Sequence, residues 1–198
     1  MNFLSFTHCS ASKIFKNDLS VFHLGKFDLL KELSREWVSL VNNSLPSSIA
    51  NSLYNGNGFK KLVKASGNKN FFVISAGLGL INSIDSIPSY ECTVAEGKKG
   101  SIRNHLKTKL DIKLWWKYLG ESKYSRGFIH ENTTKHDLIL LSLTSDYLKM
   151  VSDDLKQINK QFYIFTGSKD LAISLGFENN LMPYTEVFDG PNGKLRGT

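Results

Sequence analysis

The chain has 198 residues, 41% of them hydrophobic and 12% aromatic, and a formal net charge of +7. That length suits one domain with a sizeable core. The longest apolar runs, such as residues 138–143, are far too short to span a bilayer, and "MNFLSFTHCSASK" lacks a basic stretch followed by a long apolar one. A membrane protein and a secretory leader are therefore not expected, and a cytoplasmic location is.

Residues 2–8, "NFLSFTH", read as a first buried strand, and the polar "CSASK" (9–13) as the loop after it. In 27–43, Phe27, Leu30, Leu33, Trp37 and Leu40 recur at helical spacing, with Asp28 placed to cap the start. "SLPSS" breaks that helix, and a shorter one is expected from about Ser47. "LYNGNGF" reads as a turn into a helix over 60–66. "NFFVISA" (70–76) and "DLILLSL" (137–143) read as fully buried strands, and "KQFYIFTG" (160–167) as another. Ser145 and Asp146 stand where caps of a helix over 147–156 would stand.

Strands alternating with helices predict a single α/β domain over 1–188, with a central, mostly parallel sheet flanked by helices. The glycine-rich "FDGPNGKLRGT" predicts a flexible polar tail over 189–198. In such sheets ligands sit beyond the carboxyl ends of the strands. The segments at those ends, 9–13, 75–79, 143–147 and 166–170, are rich in Ser, Thr, Gly and Lys and should share one rim. This makes Ser10, Ser12, Lys13, Ser75, Gly77, Gly79 and Ser145 candidate ligand contacts. Ordinary loop composition accounts for each segment taken singly.

The charge is concentrated. Between 97 and 130 stand nine basic residues, Lys98, Lys99, Arg103, Lys107, Lys109, Lys113, Lys117, Lys123 and Arg126, against Asp111 and Glu121. The rest of the chain is neutral. A basic block in a neutral body suggests a polyanion-facing surface, with Arg103, Lys107, Lys109 and Lys113 as phosphate contacts. Trp115, Trp116 and Tyr118 in the same block either stack on bases or pack in the core. A solvated helix face is the plainer alternative.

Motifs exclude more than they assign. "GLGLIN" lacks the third glycine of a dinucleotide fingerprint, and no Walker or Gly-x-Ser-x-Gly pattern exists. His8, His23, His105, His130 and His136 show no metal spacing with one another or with Cys9 and Cys92, so no metal is expected and both cysteines are expected as reduced thiols. Gly77 and Gly79 allow a sharp turn and close approach of a ligand. Glu91, in a proline-bent loop with Tyr90, reads as a general base, a cation stabiliser or a cap on backbone amides. Lys13 reads as a phosphate contact or an amine nucleophile, the former because an exposed loop lysine is normally protonated. Asp146 is either a helix cap or a reactive carboxylate.

"ISAGLGLINSIDSIPSYECTVAEG", "LWWKYLGES" and "DLILLSLTSDYLKMV", in that order, resemble segments of the YaaA family of peroxide-stress proteins. "CSASK" and "LYNGNGF", with Tyr54, look more like its relatives in bacterial defence and deazaguanine-modification clusters. The resemblance covers most of 7–151. It implies a fold similar to uracil-DNA glycosylases, no cofactor, double-stranded DNA (modified phage DNA) as partner, and a monomer. It further implies a monofunctional DNA glycosylase (a hydrolase) of anti-phage defence, excising a modified base such as glucosylated hydroxymethylcytosine. The alternative it implies is a non-enzymatic DNA-binding or damage-protection protein. This chain departs from the stress proteins at Ala-Gly-Leu-Gly, where they favour an aromatic after the first glycine. It also departs at Glu91, where they carry Arg and the deazaguanine-linked relatives carry Asp. The catalytic carboxylate is expected to be Glu91, with Asp85 and then Asp146 in reserve, and the substrate contacts to include Tyr54, Ser75 and Tyr90.

Overall fold

The structure, a computed structural model, describes residues 2–14, 19–66 and 71–182. The expected tail, 189–198, and the domain boundary at 188 lie outside the described residues. In chain order the elements are β1 (Phe3–His8), β2 (Leu19–Ser20), α1 (Leu30–Asn43), β3 (Ser48–Ile49), α2 (Ala50–Leu53), α3 (Asn57–Ser66), β4 (Phe72–Ser75) and β5 (Gly79–Asn82). They continue with β6 (Ser86–Ile87), β7 (Tyr90–Glu91), α4 (Ile112–Leu119), α5 (Ile129–Asn132), β8 (Leu138–Ser142), α6 (Ser145–Leu155), β9 (Gln161–Phe165) and α7 (Lys169–Ser174).

Five strands form one sheet in the order β5-β4-β1-β8-β9. β1 pairs in parallel with β4 and β8, and β8 with β9, whereas β5 runs antiparallel to β4. The expected mostly parallel α/β sheet is present. The antiparallel edge was not foreseen, because "SAGLGLIN" reads as one strand and its loop, while a glycine with positive φ at 79 folds the chain straight back. Two short ladders pair β2 with β7 and β3 with β6. The β3–β6 ladder holds 48–49 extended, so the helix expected from Ser47 begins at Ala50 instead.

Local patterns explain the main elements. In α1, Leu33, Trp37 and Val41 repeat every four residues and all point into the core, while Glu32 sits in the first turn, where the helix dipole favours an acid. Asp28 does not cap it; the N-cap is Leu29, and Asp28 pairs with Lys107 instead. β4 is buried at all four positions, as a fully covered strand should be. β8 and β9 alternate between buried and partly exposed residues, so "DLILLSL" is covered well on one face only. Trp115 and Trp116 are buried on α4, which removes them as base-stacking residues. Among the described residues no helix is long and apolar enough to cross a membrane.

Candidate functional site

The chain builds β1, moves to β4 on one side of it, and returns to β8 on the other side. β1 and β8 are therefore neighbours whose connections leave in opposite directions, the topological switch point at which open α/β sheets bind ligands. A cleft of about 470 Å³ lies there. One wall is Thr7, His8, Cys9, Ser10 and Ala11 from the end of β1, and another is Ser142, Thr144 and Tyr147 from the end of β8. Gly56, Asn57, Gly58 and Phe59 at the start of α3, together with Thr93, close it.

Beneath the cleft is a buried polar network. Cys9 Sγ and Tyr147 Oη share a hydrogen bond of 3.0 Å, Tyr54 Oη and Tyr90 Oη one of 2.9 Å, and Ser75 Oγ and Tyr90 Oη one of 2.6 Å. Ser75 Oγ also accepts the backbone N–H groups of Gly77 and Leu78 at 3.2 and 3.0 Å. With those lone pairs occupied, the Ser75 hydroxyl is the donor to Tyr90. Burial pushes the Tyr54, Tyr90 and Tyr147 phenols and the Cys92 thiol well up, so all four stay neutral. Burial pushes His8 down, against the carbonyl of Ser142, which accepts from Nδ1 at 3.1 Å. The Lys13 amine is also pushed down by burial, partly countered by Glu91 nearby.

The rim converges as expected, but several candidates do other work. Ser10, the 75–79 turn and Ser145 lie at one edge of the sheet, with the Cys9 N–H donating to Ile74 at 3.0 Å. The turn does not offer its backbone to a ligand. A Cβ on Gly77 would stand 2.8 Å from the Tyr90 ring and 3.1 Å from Cys92, and one on Gly79 would stand 2.6 Å from Ser125 Oγ. Trp37 and Trp115 donate their indole N–H groups to the carbonyls of Gly77 and Ala76 at 2.7 and 2.9 Å, holding the turn closed. Tyr90 is fully buried, so it is no surface contact, and Tyr54 and Ser75 are buried with it. Ser12 is exposed, with its carbonyl taken by Asn55 N–H at 2.9 Å.

The three carboxylates part company. Asp85 accepts from Asn82 N–H at 2.8 Å and pairs with Arg126. It follows β5, which places it beside the start of β4, at the edge opposite the rim, and removes it from the site. Glu91 is not in a loop: it belongs to β7, opposite Ser20, with its side chain against Gly100. It is close enough to Lys13 to favour the charged amine. Asp146 does not cap α6, whose N-cap is Thr144; it lies in the first turn, 3.9 Å from Arg103 Nη2. Asp146 sits between two cleft residues, Thr144 and Tyr147, and Glu91 two before a third, Thr93.

Cys9, His8 and Tyr147 escaped the sequence reading as site residues, although they stand inside or beside the segments marked as strand ends. The usable signal was position: the last residue of β1 and the first turn of α6 must flank a switch point. The described residues contain no group of three or more His, Cys, Asp or Glu placed to hold a metal ion. Comparison with protein-family models, curated proteins and solved structures returned no match to this chain, so the likeness to the peroxide-stress family rests on the segments quoted above.

Proposed function

We propose that this chain is a DNA glycosylase that takes a modified base, such as a glucosylated hydroxymethylcytosine of phage DNA, into the switch-point cleft and leaves an abasic site. The observation that carries this reading is the cleft itself. Its volume falls in the range of small-ligand sites, and its lining residues include the hydroxyl-bearing Thr7, Ser10, Ser142 and Thr144 and the aromatic Phe59 and Tyr147. An extruded nucleotide meets hydrogen-bonding groups at its edge and aromatic surface at its face. Breaking an N-glycosidic bond develops positive charge on the sugar, which a carboxylate at the margin stabilises. Glu91 and Asp146, each within two residues of a cleft wall in sequence, are the candidates.

The test is single-turnover formation of alkali-labile sites, with mass spectrometry of the released base, on DNA carrying the modified base. One of Glu91→Gln and Asp146→Asn is expected to fold, bind DNA and lose base release by about 100-fold or more, the scale of a lost electrostatic partner. Wild-type rates in both variants remove these carboxylates from the mechanism. DNA binding by the wild-type chain without base release selects the second reading, a non-enzymatic DNA-binding protein of the peroxide-stress type. One observation favours that reading: among the described residues no carboxylate lines the cleft itself.

A further inference from the structure

His8 is the last residue of β1 and a wall of the rim cleft. Two contacts fix its ring. It packs on Tyr147 of α6 with ring centroids 5.0 Å apart, and its Nδ1 lies 3.1 Å from the Ser142 carbonyl at the end of β8. A carbonyl oxygen has no proton to give, so Nδ1 is the nitrogen that carries one. In the neutral ring Nε2 is then a bare lone pair. Among the described residues no hydrogen bond reaches that Nε2. Among them, too, the one enclosed side-chain nitrogen or oxygen without a partner is His136 Nδ1, so His8 Nε2 is open, and the cleft is the opening that His8 lines. Of the other described walls, Cys9 and Tyr147 are bonded to each other, and the rest carry a hydroxyl, an amide, a phenyl ring or no functional group. His8 is therefore the one wall whose lone pair suits proton transfer near neutrality.

We propose that His8 is the general base of the cleft, its Nε2 taking a proton from the water that attacks C1′ of the bound nucleotide. The C1′–N bond breaks and its electron pair leaves with the nucleobase. The water oxygen bonds to C1′, and the water proton passes to Nε2, giving an imidazolium. That proton then goes to the departed base, so the ring ends as it began. Nucleotide and water yield an abasic sugar and a neutral base, with no redox change and no cofactor. The Ser142 carbonyl holds Nδ1–H throughout and strengthens as an acceptor when the ring is charged. The role differs from that of Glu91 or Asp146: a carboxylate at the margin answers the charge on the sugar, and His8 answers the proton on the water. The inference rests on the glycosylase reading for its reaction.

The experiment has two arms. In the first, the wild-type chain reacts with diethyl pyrocarbonate, which acylates an open, unprotonated imidazole nitrogen, with and without an excess of duplex carrying the modified base; peptide mass mapping follows His8. The expected result is acylation of His8, slowed when the duplex is bound. No acylation of His8, or no protection by bound duplex, overturns the proposal however any variant folds. In the second arm, single-turnover base release is measured for His8→Asn, whose amide keeps a donor for the Ser142 carbonyl and removes Nε2. The expected loss is about 100-fold or more, the scale of a missing general base, and imidazole added to the buffer restores part of it. A loss that imidazole does not restore gives His8 a structural role and overturns the proposal. Wild-type rates in His8→Asn sink this inference and leave the glycosylase reading standing. No base release by the wild-type chain sinks that reading, and the role given to His8 with it.

Discussion

At the scale of single residues, the candidate site is governed by what lies under Gly77. The Tyr90 ring fills the space where a side chain at 77 would stand, and the Tyr90 hydroxyl ties Ser75 to Tyr54. Gly77 is therefore a packing residue, made necessary by a tyrosine thirteen positions further on. Gly77→Ala forces its methyl into a buried ring that has no room to withdraw. The expected destabilisation is about 1–3 kcal/mol, the usual range for overpacking. At roughly 2–4 °C per kcal/mol for a chain of this size, a thermal melt resolves it. An unchanged melting temperature would show that Tyr90 moves freely, and the packing role given to Gly77 would be wrong.

At the scale of elements, one buried carboxylate joins three helices at the far edge of the sheet. Asp154, on α6, accepts from Trp116 Nε1 on α4 at 3.1 Å, from the N–H groups of Ile129 and His130 at the start of α5 at 2.8 and 3.1 Å, and from His130 Nδ1 at 2.6 Å. Four donors around one buried acid offset its desolvation. Asp154→Ala leaves those donors in a buried place without a partner. The expected loss is about 3–5 kcal/mol. Urea unfolding of the full chain measures it; a loss under about 1 kcal/mol would mean that α4, α5 and α6 are held by apolar packing alone. The junction lies away from the rim, so a variant that still folds should keep its cleft.

Across the whole molecule, the basic block is not the bare surface its sequence suggests. Arg103, Lys107, Lys113 and Arg126 pair with Asp146, Asp28, Asp153 and Asp85, all of them outside 97–130. Lys123 donates to the carbonyls of Asn42 and Ser44, both at 2.7 Å. Among the described residues no ion pair engages Lys98, Lys99, Lys109 or Lys117. If DNA is the partner, these cations are the ones available to phosphates. Lys98→Gln, Lys99→Gln and Lys109→Gln together are expected to reduce the slope of log affinity against log salt by about 0.9 for each phosphate they cease to neutralise. Lys107→Gln and Lys113→Gln should leave the slope nearly unchanged. Fluorescence anisotropy at several salt concentrations decides between them, and the opposite ranking would mean that the ion pairs open on binding.

What the sequence determined by itself was local. Apolar runs and helical spacing identified β1, β4, β8, β9 and α1, and their alternation implied a mostly parallel sheet with its loops on one rim, because strand and helix periods are properties of short stretches of backbone. What the tertiary structure alone decided were the surroundings of each side chain. Asp85 read as a site carboxylate until Arg126, 41 residues away, and the antiparallel return of β5 put it at the opposite edge. Trp115 read as a base-stacking candidate until its indole met the carbonyl of Ala76, 39 residues earlier. Lys13 read as an exposed cation until its bridge to Tyr54 set it over Tyr90 of β7. Burial, charge pairing and proton affinity depend on groups gathered from distant parts of the chain, and no local pattern records which groups those are.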